Sequence, residues 1–81
     1  MKFTGYFLRN RERPDRRWIR FEWIERVIRN PVKRAVQADG RIRLWGSIDE
    51  AGGKALRVIL LEDEETVHNA FFDKQFKEDE P

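Results

Sequence analysis

Asp39-Gly40-Arg41-Ile42-Arg43-Leu44-Trp45-Gly46-Ser47-Ile48 decides the fold. Asp-Gly is a short-hairpin signal, because a tight turn needs positive φ and glycine adopts it without steric cost. Beyond it the period is two. Ile42, Leu44, Gly46 and Ile48 fall on one face, and Arg41, Arg43, Trp45 and Ser47 on the other, the pattern of a strand buried on one side.

Working outward, Val32, Arg34 and Val36 lead into this turn as the partner strand. Asp49 to Lys54, with Gly52-Gly53, reads as a second turn. Leu56 to Leu61 is a hydrophobic strand interrupted by Arg57. Glu62 to Glu65 is an acidic turn, and Thr66 to Phe72 a last strand with Val67, Asn69 and Phe71 opposed to His68, Ala70 and Phe72.

Upstream the period is 3.6. Residues 16–30 carry Phe21, Ile24, Val27 and Ile28 on one arc, with Trp23 at its margin, which predicts an amphipathic helix packed on the sheet. Glu22–Arg26 and Glu25–Arg29 are i,i+4 pairs with the acid first, each worth a few tenths of a kcal/mol. Pro31 disfavours the α conformation at Asn30 and ends the helix. Residues 4–12 form a shorter helical segment, with Phe3, Phe7 and Leu8 on one side and Thr4 in position to cap it; Arg13-Pro14-Asp15 breaks the chain between the two. The expectation is an α+β domain, two N-terminal helices packed on a four-stranded antiparallel sheet with short turns.

With 81 residues the chain is one domain, with a core over about 3–76 and an acidic tail at 77–81, and a deep enclosed cavity is not expected at this size. It has no cysteine, which excludes disulfides and thiolate metal sites. No signal-peptide core is visible at the N-terminus, and the apolar run Val58–Leu61 is far too short to span a bilayer. The reading is a soluble, cytoplasmic protein with no membrane partner. Charge is segregated. Residues 1–43 hold thirteen Lys and Arg against five Asp and Glu, a net of +8; residues 44–81 hold four against ten, a net of −6, for the overall +2. A basic half points to an anionic partner, or to two halves that neutralise each other.

Four places are candidates for chemistry. His68, the single histidine, is either a general acid or base for phosphodiester cleavage or a half-buried strand residue. Arg57, a charge inside an apolar strand, either clamps a phosphate or pairs with Glu62 or Asp73. Arg41, Arg43 and Trp45, on one face by alternation, combine phosphate attraction with an indole for base stacking; alternatively that face is where the helices pack. Arg9, Arg11, Arg13, Arg16, Arg17 and Arg20 make a basic strip that either contacts phosphates or is a solvated face.

Asp39-Gly40-Arg41-Ile42 with Trp45-Gly46, then Leu56-Arg57-Val58, then Glu65-Thr66-Val67-His68-Asn69-Ala70-Phe71-Phe72-Asp73, preceded by a helix ending in Asn30-Pro31, resemble a group of small bacterial proteins of unknown function allied to the RelE/ParE and BrnT-type toxin superfamily. The resemblance covers about residues 18–76. It implies a RelE/ParE-like fold; within that superfamily RelE-type members cut messenger RNA and BrnT-type members are ribonuclease-like, whereas ParE-type members act on gyrase. The expectation adopted is the first activity, an RNA-binding, RNA-cleaving domain. His68 and Arg57 would then be catalytic, and Arg41, Arg43, Trp45 and Lys74 would hold the nucleic acid. Neither cofactor nor metal is implied, and an antitoxin-like protein would be a partner. A non-catalytic protein-interaction module is the reading from another class.

Overall fold

In the computed structural model, which describes residues 1–77, the chain runs β1 (Lys2–Phe3), α1 (Gly5–Asn10), α2 (Phe21–Arg29), β2 (Lys33–Val36), β3 (Ile42–Ile48), a 3-10 turn (Asp49–Ala51), β4 (Lys54–Leu60) and β5 (Thr66–Phe72). The last four residues of the expected acidic tail lie outside the described residues. The sheet order is β1-β5-β4-β3-β2.

The four consecutive strands form the expected antiparallel meander, but the expected fold class needs correction. The sheet has five strands and is mixed, because β1 pairs in parallel with β5, Lys2 beside Thr66 and Phe3 beside Val67. A purely antiparallel four-stranded sheet of the RelE/ParE kind is therefore not what this chain forms. The reason lies at Phe3, whose spacing from Phe7 suits a helical face. Instead it sits in β1 and stacks on Phe7 at 5.1 Å, while the Thr4 amide donates to the Val67 carbonyl. Thr4 does cap α1, its hydroxyl accepting from the Phe7 amide at 3.0 Å.

The second helix is shorter than its 16–30 expectation. Residues 13–19 form successive turns, with the Arg16 and Arg17 amides donating to the Arg13 carbonyl and the Ile19 amide to that of Arg16. Arg20 is extended, with φ −82° and ψ 145°. Had the helix run through, Arg20 would lie one turn before Ile24 and point into the core. The break sends Ile19 inward instead, where it is buried together with Trp23, Ile24 and Val27. Trp23 is thus core and not margin, Ile28 is partly buried, and Phe21 is largely exposed. The helix ends at Asn30 as Pro31 requires.

Ile42, Leu44, Ile48, Leu56, Val58, Leu60, Val67 and Ala70 meet Phe7, Ile19 and the apolar side of α2 in one core. Each fully buried side chain of this kind contributes about 1.5–3 kcal/mol. Gly46 lets α2 approach closely, since a Cβ there would meet Val27 Cγ2 at 3.0 Å. The first hairpin closes by Gln37 N to Arg41 O and Gly40 N to Gln37 O, with Gly40 at φ +89°. It is a three-residue loop with the glycine left-handed, not a two-residue primed turn.

One register change redirects β5. Ile59 pairs with Asn69 but Leu60 with Val67, so His68 is the extra residue of a β-bulge. Val67 and Ala70 both face the core, and Asn69 and Phe71 the other side. The strict alternation expected for this strand is broken at His68.

Among the described residues no helix is long and apolar enough to cross a membrane.

Candidate nucleic-acid interface

The helices cover one face of the sheet, so period two leaves Arg43, Trp45, Arg57, Ile59, Asn69 and Phe71 on the other. Three strands bring them into register: Trp45 lies opposite Arg57, and Arg57 opposite Phe71. The Arg57 guanidinium is flanked by two rings, 5.4 Å from the Trp45 centroid and 5.3 Å from that of Phe71. Lys33 on β2 lies 5.8 Å from the Trp45 ring. Such arrangements are favourable because a cation meets the negative face of an aromatic quadrupole.

The turn after β5 folds back over this face. Trp45 Nε1 donates to Asp73 Oδ2 at 3.0 Å, the same oxygen lies 3.7 Å from Arg57 Nη1, and Phe76 stacks on Trp45 at 5.4 Å. Trp45 is consequently buried at 7 % exposure although it stands outside the helix-covered core. Of the two partners offered to Arg57 by the sequence, Asp73 is the one it takes. That contact is incomplete, since Arg57 Nε is buried without a hydrogen-bond partner. Burial pushes the Arg57 pKa down, neighbouring Arg43 pushes it further, and Asp73 acts in the opposite direction. The guanidinium stays charged, so the site holds a partly desolvated cation with unspent donor capacity.

Arg43 donates to the neutral Gln37 side chain at 2.8 Å. Arg41, expected beside it, stands at the end of the hairpin, ion-paired with Asp39 at 3.7 Å and lining a shallow pocket with Glu62 and Asp63. The platform read from alternation is therefore Arg43 and Trp45 joined by Arg57, with Arg41 drawn off toward carboxylates.

His68 is elsewhere. Its bulge position sets it against the N-terminal segment, where the ring stacks on Tyr6 at 4.7 Å and Nδ1 lies 3.1 Å from the Thr4 hydroxyl. Thr4 Oγ1 also accepts from the Phe7 amide, and the direction of its bond with Nδ1 is set by the histidine tautomer. Burial, then the charge of Arg41, hold the His68 pKa below its ordinary 6.5. Three residues along β5, roughly 10 Å, separate His68 from Phe71 and hence from Arg57 across the ladder. The two residues nominated for catalysis are not assembled around a common point.

Lys74 follows β5 and lines a groove of about 700 Å³ with Lys54, Trp18, Phe72 and Phe76. Arg16, from the connector between the helices, reaches the β5 edge, donating to Asn69 Oδ1 at 2.7 Å with its guanidinium 5.2 Å from the Phe71 centroid. The basic strip thus contributes one member to the open face.

No family model, curated protein or solved structure matches the chain.

Among the described residues no three of His, Cys, Asp and Glu converge as metal ligands. The sequence nominates neither Phe71 nor Phe76 as a binding residue, and it names Arg16 only as one of six arginines in the basic strip. The bulge hid the first, and the second follows the last strand. Arg16 belongs to a stretch that the helical period assigned to α2.

Proposed function

We propose that the open sheet face binds single-stranded RNA, with Arg57 and Arg43 holding phosphates and Trp45 and Phe71 receiving bases. The observation that carries this is the placement of Arg57 between two aromatic rings, with a buried donor unsatisfied and a single carboxylate oxygen of Asp73 near it. A cation desolvated in this way gains most from an anion that brings further acceptors. Asp73 reaches Arg57 through one oxygen and Phe76 covers the Trp45 ring, so a phosphate adds at the unsatisfied Arg57 donor and a base takes the place of the Phe76 side chain while the rest of the turn stays. Cleavage needs His68 and Arg57 at one phosphate, and the roughly 10 Å between their strand positions supports binding rather than catalysis.

Titration of a labelled single-stranded RNA at about 50 and about 200 mM salt tests the reading. Affinity falls steeply as salt rises, and Arg43→Ala shallows the slope by about 0.7, the value for one phosphate contact on a single strand. Absence of binding at the lower salt refutes it.

A further inference from the structure

We infer that the groove between the helix connector and the turn after β5 takes one nucleotide of the bound strand, its base against Trp18 and its phosphate between Lys54 and Lys74. The inference rests on the RNA reading and extends it to a second surface.

Trp18 is unlike the other tryptophans. Trp23 and Trp45 are buried, at 6 % and 7 % exposure, whereas Trp18 is 46 % exposed. Yet it is held firmly. One face stacks on Phe72 at 4.9 Å and 14°, its edge meets Trp23, and Nε1 donates to the Asp15 carbonyl at 3.1 Å. An indole fixed on one face and open on the other is a preorganised stacking surface, which lowers the ordering cost of binding.

Charge in the groove is complementary to phosphate. Asp15 faces Arg13 at 3.7 Å and Arg16 at 3.8 Å, and Asp73 is engaged by Trp45 and Arg57, so both carboxylates lining it are already matched. Lys54 and Lys74 line the same groove with no carboxylate partner among the described residues. The volume, about 700 Å³, falls within the range of small-ligand sites. Phe71, Asp73 and Phe76 border both the groove and the open face. The two surfaces therefore share a border.

The test is titration of the intact protein with a short oligouridylate. Affinity is read by anisotropy, and access to the exposed indole by acrylamide quenching. RNA should shield Trp18 from the quencher. Trp18→Ala should weaken binding about 10-fold with the salt slope unchanged, since stacking releases no counterion. Trp18→Phe, which keeps the contact with Phe72, should recover part of the loss, and it separates the effect from misfolding. Lys54→Gln/Lys74→Gln, both exposed, should shallow the slope by about 0.7, the value for the one phosphate they hold. If the wild type binds RNA while these variants bind as well as it does and Trp18 remains quenchable, the groove assignment is wrong and the open-face reading stands. If the wild type binds no RNA, both fall. Shielding of Trp18 that grows with protein concentration alone would place a second copy of the chain in the groove and overturn the proposal.

Discussion

Arg57 is where stability and binding part company. Its guanidinium is partly desolvated, its buried Nε has no partner, and the Asp73 oxygen at 3.7 Å is beyond hydrogen-bond distance. A half-buried cation so poorly compensated contributes little to folding, and an apolar side chain of similar length can replace it at no loss. Arg57→Met is therefore expected to leave the melting temperature unchanged or raised while weakening RNA binding at least 10-fold and shallowing its salt slope. A variant that melts much earlier would make the arginine structural. A second residue-scale effect is acid sensitivity. Asp63 accepts from the Thr66 hydroxyl and from the amides of Thr66 and Glu65, which hold its pKa at about 2 against an ordinary 3.8. Glu50, bidentate on Arg26 at 2.9 Å, is likewise lowered to about 2 from 4.5. A carboxylate depressed on folding contributes stability that is present above its unfolded pKa and is lost as pH falls through the folded one. The urea midpoint should decline between pH 4.5 and about 2, and Asp63→Asn should flatten the lower part of that decline.

At the scale of elements, the contact of α2 with β3 turns on Gly46. An added methyl meets Val27 Cγ2 at 3.0 Å, and a β-branched side chain in a helix has no second rotamer to retreat into. Gly46→Ala should cost about 1–3 kcal/mol, outweighing the smaller gain from a stiffer unfolded chain. In a Val27→Ala background the same change should cost less, a coupling that a double-mutant cycle in urea would read directly. This packing was legible from the sequence, because Ile24, Val27 and the Ile42–Ile48 alternation each announce a buried face. The hairpin was legible too, through Gly40. What escaped reading is what no local period encodes. The two residues of β1 gain their strand character from β5, 64 positions away at Lys2 and Thr66. The bulge at His68 is visible only when two strands are paired. The turn over Trp45 follows from the same lesson: alternation put Trp45 on the open face correctly, but Phe76 covers it. Removing that cover by Phe76→Ala should tighten RNA binding and red-shift the tryptophan emission of the free protein. Weaker binding by this variant would mean that Phe76 is itself a stacking residue.

Across the whole molecule the segregated charge of the sequence is partly consumed by folding. Arg26–Glu50, Arg34–Glu64 and Lys2–Glu65 each join the basic half to the acidic one. Exposed pairs of this kind add little stability, but they decide which cations remain for a ligand. Arg43, Lys54 and Lys74 keep no carboxylate partner among the described residues, and they border the aromatic face and its groove. That distribution predicts a preference among nucleic acids. A duplex offers as many phosphates as a single strand but keeps its bases stacked inside, where Trp18, Trp45 and Phe71 cannot reach them. Phosphate contact alone would favour the duplex, whose charge density is higher; stacking reverses the order, at about 1–3 kcal/mol for each base engaged. Single-stranded RNA should therefore displace a labelled single-stranded probe at least 10-fold more effectively than a duplex of the same length, at equal salt. Equal competition, or a duplex that competes better, would reduce the interface to a cationic surface and leave its aromatic rings without a role in recognition.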